Sequence, residues 1–327
     1  MSRPHHLLYL SRADLEQLNL PMSEIIDAVT EAFLEKAKGQ TLLPPKHWIP
    51  AGPRRFFSAM SGQLAGLGTT VCKWQSGSPD NHLNGQPYIT GQLILNDMAT
   101  GLPMAIMDST WTTGQRTAAA TAVAARALAN PSPAVLGIMG CGVQGRSNLE
   151  AFRLVFPSLR TVRCFDIEAA AMERYRREMT ARHEGLDVIC CGGAQEAMAG
   201  AQLIVTCGPI VPDAPRSAKI AWVDPGATVV TLDYDCYWEP AAFGAFAQVF
   251  SDDLDQLDHT REFGYFSGVP ATARELAAVV AGTEPGRRGR EERIAALNLG
   301  IALEDAATAL CVYRAAKAKG VGLELPI

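Results

Sequence analysis

From about residue 134 onward, short apolar runs alternate with Ala-rich helical stretches. The runs are AVLGIMG (134–140), TVRCFD (161–166), DVICC (187–191), QLIVTC (202–207), TVVTLD (228–233) and QVFSDD (248–253). Near-continuous apolar strands separated by helices are the pattern of a parallel sheet covered on both faces. Between the first two runs, QGRSNLEAFRLVF places Leu149, Phe152 and Val155 at helical spacing. Between the second and third, EAAAMERYRREMTARH carries the charged face of an outer helix. Strand, helix and strand joined by right-handed crossovers give a Rossmann-type doubly wound sheet.

The first 110 residues follow a different rhythm. MSEIIDAVTEAFLEKAKG predicts a helix that opens on a capping-box-like neighbourhood at Ser23, Glu24 and Asp27, keeps Ile25, Ile26, Val29 and Phe33 on one side, and ends at Gly39. Several strand-like runs follow over 54–110, among them QLILNDMATGLPMAIMD, a hairpin turning at Ala99 to Gly101. This half reads as α+β. Residues 291–319 read as helical, with Ile294, Leu297 and Ile301 at 3–4 spacing and Gly320 as the C-cap. That helix is expected to pack back on the N-terminal half, so the first domain is discontinuous and the nucleotide-type fold is inserted in it.

Composition narrows the function classes. With 327 residues, 48% of them hydrophobic and 19% charged, the chain has room for two cored domains and holds no polar tract that would stay unfolded. A net charge of −5 argues against a nucleic-acid footprint, which needs clustered Lys and Arg. The one dense basic run, GRRGREER at 286–293, is interrupted by glutamates and reads as a solvated loop leading into the helix after it. Eight cysteines show no C-x-x-C pair and sit mostly in apolar stretches, as buried reduced thiols do. LLYL near the start is too short for a signal peptide, and no window approaches the ~18 apolar residues of a membrane span. A cytoplasmic protein with no membrane partner is expected. Six scattered histidines give no metal-ligand spacing, so no metal is expected; His47 and His82 fall near the segments singled out below.

The densest chemical signal is GCGVQG, which puts Gly140, Gly142 and Gly145 directly between a strand and a helix. The first glycine permits a tight turn, the second admits a pyrophosphate against the backbone, and the third lets helix and strand pack closely. The helix N-terminus then offers free N–H groups and the positive end of its dipole to the phosphates. Asp166 stands where an acidic residue would bond the adenosine ribose, and no Arg or Lys follows in FDIEAAAM, which favours NAD over NADP. A second feature is TGQRTAAATAVAARAL at 113–128, where a permanent cation, Arg116, opens a run of small apolar residues. It calls for an anion.

The runs RTAAATAVAARALA, GIMGCGVQGRSNLEAF, NDMATGLPMAIMD, WVDPGATV and LGIALEDAATALCVYRAAKAKG, in this order over nearly the whole chain, resemble the ornithine cyclodeaminase and mu-crystallin family. The resemblance implies a substrate-binding and dimerisation domain (1–115 plus 300–327), an NAD-binding Rossmann domain (116–299) and a homodimer. It implies that Arg116 pairs with the carboxylate of an amino or imino acid, with Lys73 in CKWQSGSPDN and Lys46 in LPPKHW as further cations. Lys46 stands where the family usually has an arginine, keeping the charge but losing the planar fork. The catalytic aspartate falls on Asp233 in LDYDCYWEP, with Asp235 as a neighbouring competitor. Gly140, Gly142, Val143, Gln144, Gly145, Asp166, Thr117, Thr206 and Asn298 are the expected cofactor contacts.

Those roles imply hydride transfer between a nicotinamide and the α-carbon, Arg116, Lys73 and Lys46 holding the carboxylate. Asp233 would exchange a proton with the reacting nitrogen, and Lys73 shares that role if neighbouring cations lower its pKa. Two departures bear on the substrate. Ser58 stands where the cyclodeaminase proper has a glutamate, and Tyr234, Tyr237 and Trp238 surround Asp233 where the family usually has small residues, bulk expected to reshape the pocket. They favour an amino-acid dehydrogenase or imine reductase over ornithine cyclodeaminase itself, and both over a non-catalytic nucleotide-dependent binding protein.

Overall fold

The structure is a computed structural model that describes residues 5–52, 55–211 and 213–327. The chain divides into two compact units, residues 1–116 with 301–327 and residues 117–300.

The first unit opens with β1 (His6–Leu10), α1 (Arg12–Leu18) and α2 (Met22–Ala37). Strands β2 (Thr41–Leu42), β3 (His47–Pro50), β4 (Phe56–Leu64), β5 (Thr69–Gly77), β6 (Ile89–Asp97) and β7 (Pro103–Asp108) follow. Helix α3 (Ser109–Leu128) starts in this unit and passes into the other at Thr117. The capping box expected at Ser23 is absent: Pro21 is the N-cap of α2 and Ser23 lies inside the helix. A proline before the first turn presets the backbone without a side-chain cap. The capping box of this unit belongs to α1, where Ser11 and Asp14 bond each other's backbone N–H groups.

Sheet order is β16-β1-β7-β6-β5-β4-β2, with β3 also on β4 and β16 formed by Leu323–Pro326. Among the described strands of this sheet, only β1 and β7 run parallel. In β4 and β5, burial alternates strictly, so Ser58, Met60, Lys73 and Gln75 share one buried face. Helix α10 (Ala302–Lys319) covers that face, packing also on α2. Gly62 lets it approach closely: a Cβ there would lie 3.0 Å from Ala302 Cβ. Leu303, Ala306, Ala309 and Leu310 then join Leu64, Val71, Leu93 and Leu95 in one core, and Gly320 ends the helix in the left-handed conformation (φ 64°).

The second unit carries β8 (Val135–Met139), α4 (Val143–Val155), β9 (Thr161–Phe165), α5 (Ala169–Arg182), β10 (Asp187–Cys190), α6 (Ala194–Met198), β11 (Leu203–Thr206) and β12 (Thr228–Thr231). After them come α7 (Pro240–Phe243), β13 (Gln248–Ser251), α8 (Leu254–Arg261), β14 (Arg274–Glu275), α9 (Leu276–Val280) and β15 (Ile294–Leu297). All eight strands are parallel, in the order β10-β9-β8-β11-β12-β15-β13-β14. The order reverses between β8 and β11, and the carboxyl ends of strands at such a switch point are where doubly wound sheets bind ligands.

The helix expected over 291–319 begins only at Ala302. Ile294–Leu297 is instead β15, fully buried between β12 and β13, and GRRGREER therefore leads into a strand. An apolar tetrapeptide buried on both faces has no period of its own, and the 3–4 spacing to Ile301 imitated a helix.

Candidate active site

In the first unit, the buried face of β4 and β5 meets the first turn of α10. Lys73, fully buried on β5, has its Nζ 2.8 Å from Asp305 Oδ2 and donates to the Thr113 hydroxyl at 3.3 Å. Arg116, 4% exposed, donates from Nη1 to Glu304 Oε2 at 2.6 Å and sets its Nε 3.1 Å from Asp305 Oδ1. Lys46 is buried too, and its charge bears on both Lys73 and Glu304. Burial, then the Arg116 charge, pulls the Lys73 ammonium down to about 7 against the opposing pull of Asp305, with Lys46 adding to the fall. Burial also pushes the Glu304 carboxyl up, against the Arg116 charge.

Glu304 and Asp305 were not anticipated from sequence. Their signal was an acidic pair in the first turn of a C-terminal helix, which ordinarily only complements the helix dipole. Ser58 Oγ, Gln75 Oε1 and Glu304 Oε1 are buried in this unit with no hydrogen-bond partner among the described residues, and groups left so ordinarily cost about 1–3 kcal/mol each. His47 is exposed; the side chain of His82 lies outside those described.

In the second unit, the glycine loop joins β8 to α4. Gly140 holds φ 111°, and a Cβ on it would meet Cys207 O at 2.7 Å; one on Gly145 would meet Gly140 O at 2.3 Å. Gly142, by contrast, has open space where a side chain would be and no side chain caps the helix that follows. Val143 is exposed and Gln144 half-buried. Asp166, at the end of β9, accepts from the Cys141 N–H at 2.8 Å and the Glu168 N–H at 3.0 Å. Arg146 braces the loop from the helix side, bonding the Cys141 and Gly142 carbonyls and Glu178, and the Tyr175 hydroxyl donates to Gly145 O at 3.1 Å.

Beyond β12 lies Asp233, fully buried. Its carboxylate accepts from the Thr206 hydroxyl at 2.7 Å and from the Gly208 N–H at 3.3 Å. Burial pushes the carboxyl up to about 7 despite those donors. Asp235 is committed elsewhere, to Arg216 and the Phe266 N–H.

Tyr234 and Trp238, expected to bulk out a pocket, are core residues packed among Tyr265, Phe266, Phe243 and Phe246. Trp238 Nε1 reaches the Thr206 hydroxyl at 3.4 Å and so backs the residue that holds Asp233. Of the three aromatics only Tyr237 is half-buried, its ring 3.1 Å from where a Cβ on Gly208 would be. Thr117 is half-buried on α3, its carbonyl accepting from Thr121. Asn298, which follows β15, is 4% exposed, and neither its side-chain oxygen nor its nitrogen has a partner among the described residues.

An open glycine cradle before an uncapped helix, with a buried amide left unbonded, fits a dinucleotide laid along the carboxyl edge of the parallel sheet. Residues 7–320 match the model of the ornithine cyclodeaminase/mu-crystallin family. The chain belongs to that family. Within its range, the chain is 31% identical to an alanine dehydrogenase of Archaeoglobus fulgidus, over 97% of this chain and 98% of that one. Of solved structures, it is similar to the Δ1-pyrroline-2-carboxylate reductase of Thermococcus litoralis in complex with NADH and L-proline. The TM-score is 0.87 at 27% identity, over 98% of this chain and all of that one. An archaeal alanine dehydrogenase dimer with bound NAD gives a TM-score of 0.86 at 29% identity, over 99% of this chain and all of the other.

Among the described residues, no helix is long and apolar enough to cross a membrane, and no group of three or more His, Cys, Asp or Glu is placed to hold a metal ion.

Proposed function

We propose that the protein is an NAD-dependent oxidoreductase that moves hydride between the nicotinamide and the α-carbon of an amino or imino acid. The observation that carries this reading is the gathering of three buried cations, Lys46, Lys73 and Arg116, beside Glu304 and Asp305 in the first unit. Like charges held close in a medium of low polarity repel one another, and the carboxylate of a substrate offsets that repulsion. Arg116 meets it with a planar fork and Lys73 with a compact ammonium.

Unit 1 would then be the substrate-binding and dimerisation domain and unit 2 the NAD-binding domain. Gly140, Gly142, Val143, Gln144 and Gly145 would hold the pyrophosphate, Asp166 the adenosine ribose and Asn298 the carboxamide, with Thr117 and Thr206 as further contacts. The nicotinamide supplies or accepts the hydride when bound. Asp233, poised near neutrality, gives a proton to the reacting nitrogen or takes one from it, and Thr206 with Gly208 keeps the carboxylate in one orientation.

Support for a homodimer comes from the other face of the first unit's sheet. Phe57 and Trp74 stack there at 5.7 Å while 40% and 46% exposed, and Ile94 adds to the patch at 38%. Apolar faces of this kind mark association surfaces.

A substrate with a distal ammonium fits less well. The buried face of β4 and β5 offers Ser58 and Gln75 beside Lys73, neither strand carries a carboxylate, and the carboxylates that reach this face from α10, Glu304 and Asp305, already face Arg116 and Lys73. Absorbance at 340 nm is the test, with NADH plus cyclic imino acids or α-keto acids with amines, and NAD plus L-amino acids including ornithine. Net loss or gain of NADH is expected. Ammonia and proline formed from ornithine with no net change would instead mean a cyclodeaminase, and silence in all arms would sink the reading.

A further inference from the structure

Asp305 stands at the centre of the buried charges of the first unit. Its Oδ1 accepts from Lys73 Nζ at 2.9 Å and lies 3.1 Å from Arg116 Nε, while its Oδ2 lies 2.8 Å from Lys73 Nζ. The three side chains arrive from β5, α3 and α10, and none is more than 5% exposed. Glu304, one residue earlier on the helix, is engaged by Arg116 at 2.6 Å. Lys73 is thus faced by Arg116 from α3 and Lys46 from the segment before β3 as like charges, by Asp305 from α10 as the opposite charge, and by the Thr113 hydroxyl. Among these, Asp305 alone is charged to favour a proton on Lys73.

We propose that Asp305 is a positioning residue for the reaction, fixing the spacing of Lys73 and Arg116 and keeping Lys73 protonated until the substrate carboxylate arrives. The inference rests on the reading of this cluster as the carboxylate site. Two cations held close in a medium of low polarity repel each other, and a carboxylate bridging both is the simplest device that lets them share one anion. Asp305 also opposes the burial and the Arg116 charge that pull Lys73 down. An ion pair that only stabilised the fold would also raise the Lys73 pKa, so the titration reports the contact between the two groups and KM for a carboxylate substrate separates the two roles.

The test uses the full-length protein labelled with 13Cε-lysine, the Lys73 resonance being identified by its loss in Lys73→Arg. In Asp305→Asn the Lys73 midpoint is expected to fall by about one pH unit or more, since removing an anion disfavours the ammonium. In Asp305→Glu the midpoint is expected to stay near that of the unmodified protein, while KM for a carboxylate substrate turned over with NADH rises several-fold. A Lys73 midpoint that is the same with Asp305→Asn overturns the proposal. Should that variant not fold, Asp305→Glu decides: KM and kcat both unchanged would overturn it. Absence of NADH-linked turnover in the unmodified protein contradicts the functional reading instead, and the titration still stands on its own.

Discussion

The Thr206 hydroxyl donates to Asp233 at 2.7 Å while the Asp233 side chain is fully buried. Burial raises the carboxyl to about 7, and the Thr206 bond opposes that rise. In Thr206→Val the opposition is gone. If Asp233 gives the proton in the reductive reaction, as proposed, the rate falls as pH rises through the Asp233 midpoint, and in Thr206→Val this limb is expected to move to higher pH. A pH profile of kcat/KM in both proteins checks it.

Asp233→Asn separates activity from stability. Loss of the proton exchanger is expected to lower kcat by about 10²–10⁴-fold. The folded carboxyl keeps its proton to about 7, while the unfolded one releases it near the ordinary 3.8. Between those values the folded state binds more protons, so this group's contribution to stability falls as pH rises and is fully unfavourable above about 7. The Asn variant is therefore expected to be more stable at pH 8, on the order of 4 kcal/mol, and no more stable at pH 3. Thermal melts at the two pH values measure this.

Arg116→Lys keeps the charge and removes the planar fork that bonds Glu304 through Nη1 and approaches Asp305 through Nε. A fall in kcat/KM of about 10–100-fold is expected, carried largely by KM for the carboxylate substrate, with NADH affinity unchanged. Steady-state kinetics with fluorescence titration of NADH distinguish the two.

Asn298→Leu should divide binding from folding in the opposite sense. The buried amide has no partner among the described residues, so an apolar side chain of similar size is expected to stabilise the protein without ligand by about 1 kcal/mol or more. NADH binding is expected to weaken by about tenfold or more, because the contact proposed between Asn298 and the carboxamide is lost. Melting temperatures with and without NADH read both effects in one experiment.

Much of the second unit was legible because its signals are local. All six strands read from the apolar runs are present, and Gly140, Gly142 and Gly145 sit where a strand gives way to a helix. β15 was missed because Ile294–Leu297 is too short to show a period and carries two alanines, so its place between β12 and β13 is decided by tertiary pairing. Glu304 and Asp305 were missed for a related reason. Acidic residues in the first turn of a helix are ordinarily exposed, and these are buried only because Lys73 and Arg116 reach them from 232 and 188 residues away. Tyr234 and Trp238 likewise gave no sign that aromatic partners 5–32 residues further on would draw them into the core.

The most direct measurement is the fate of the hydride itself. NADH carrying deuterium at C4 of the nicotinamide, on the transferred face, would be supplied with the imino acid or keto-acid and amine mixture that the protein turns over, and the product analysed by mass spectrometry and NMR. One deuterium at the α-carbon of the amino acid product is expected, with the yield of labelled product falling steeply when Arg116→Ala or Asp233→Asn replaces the unmodified protein. A product formed without deuterium at that carbon, or a label found elsewhere in it, would contradict hydride transfer to the α-carbon.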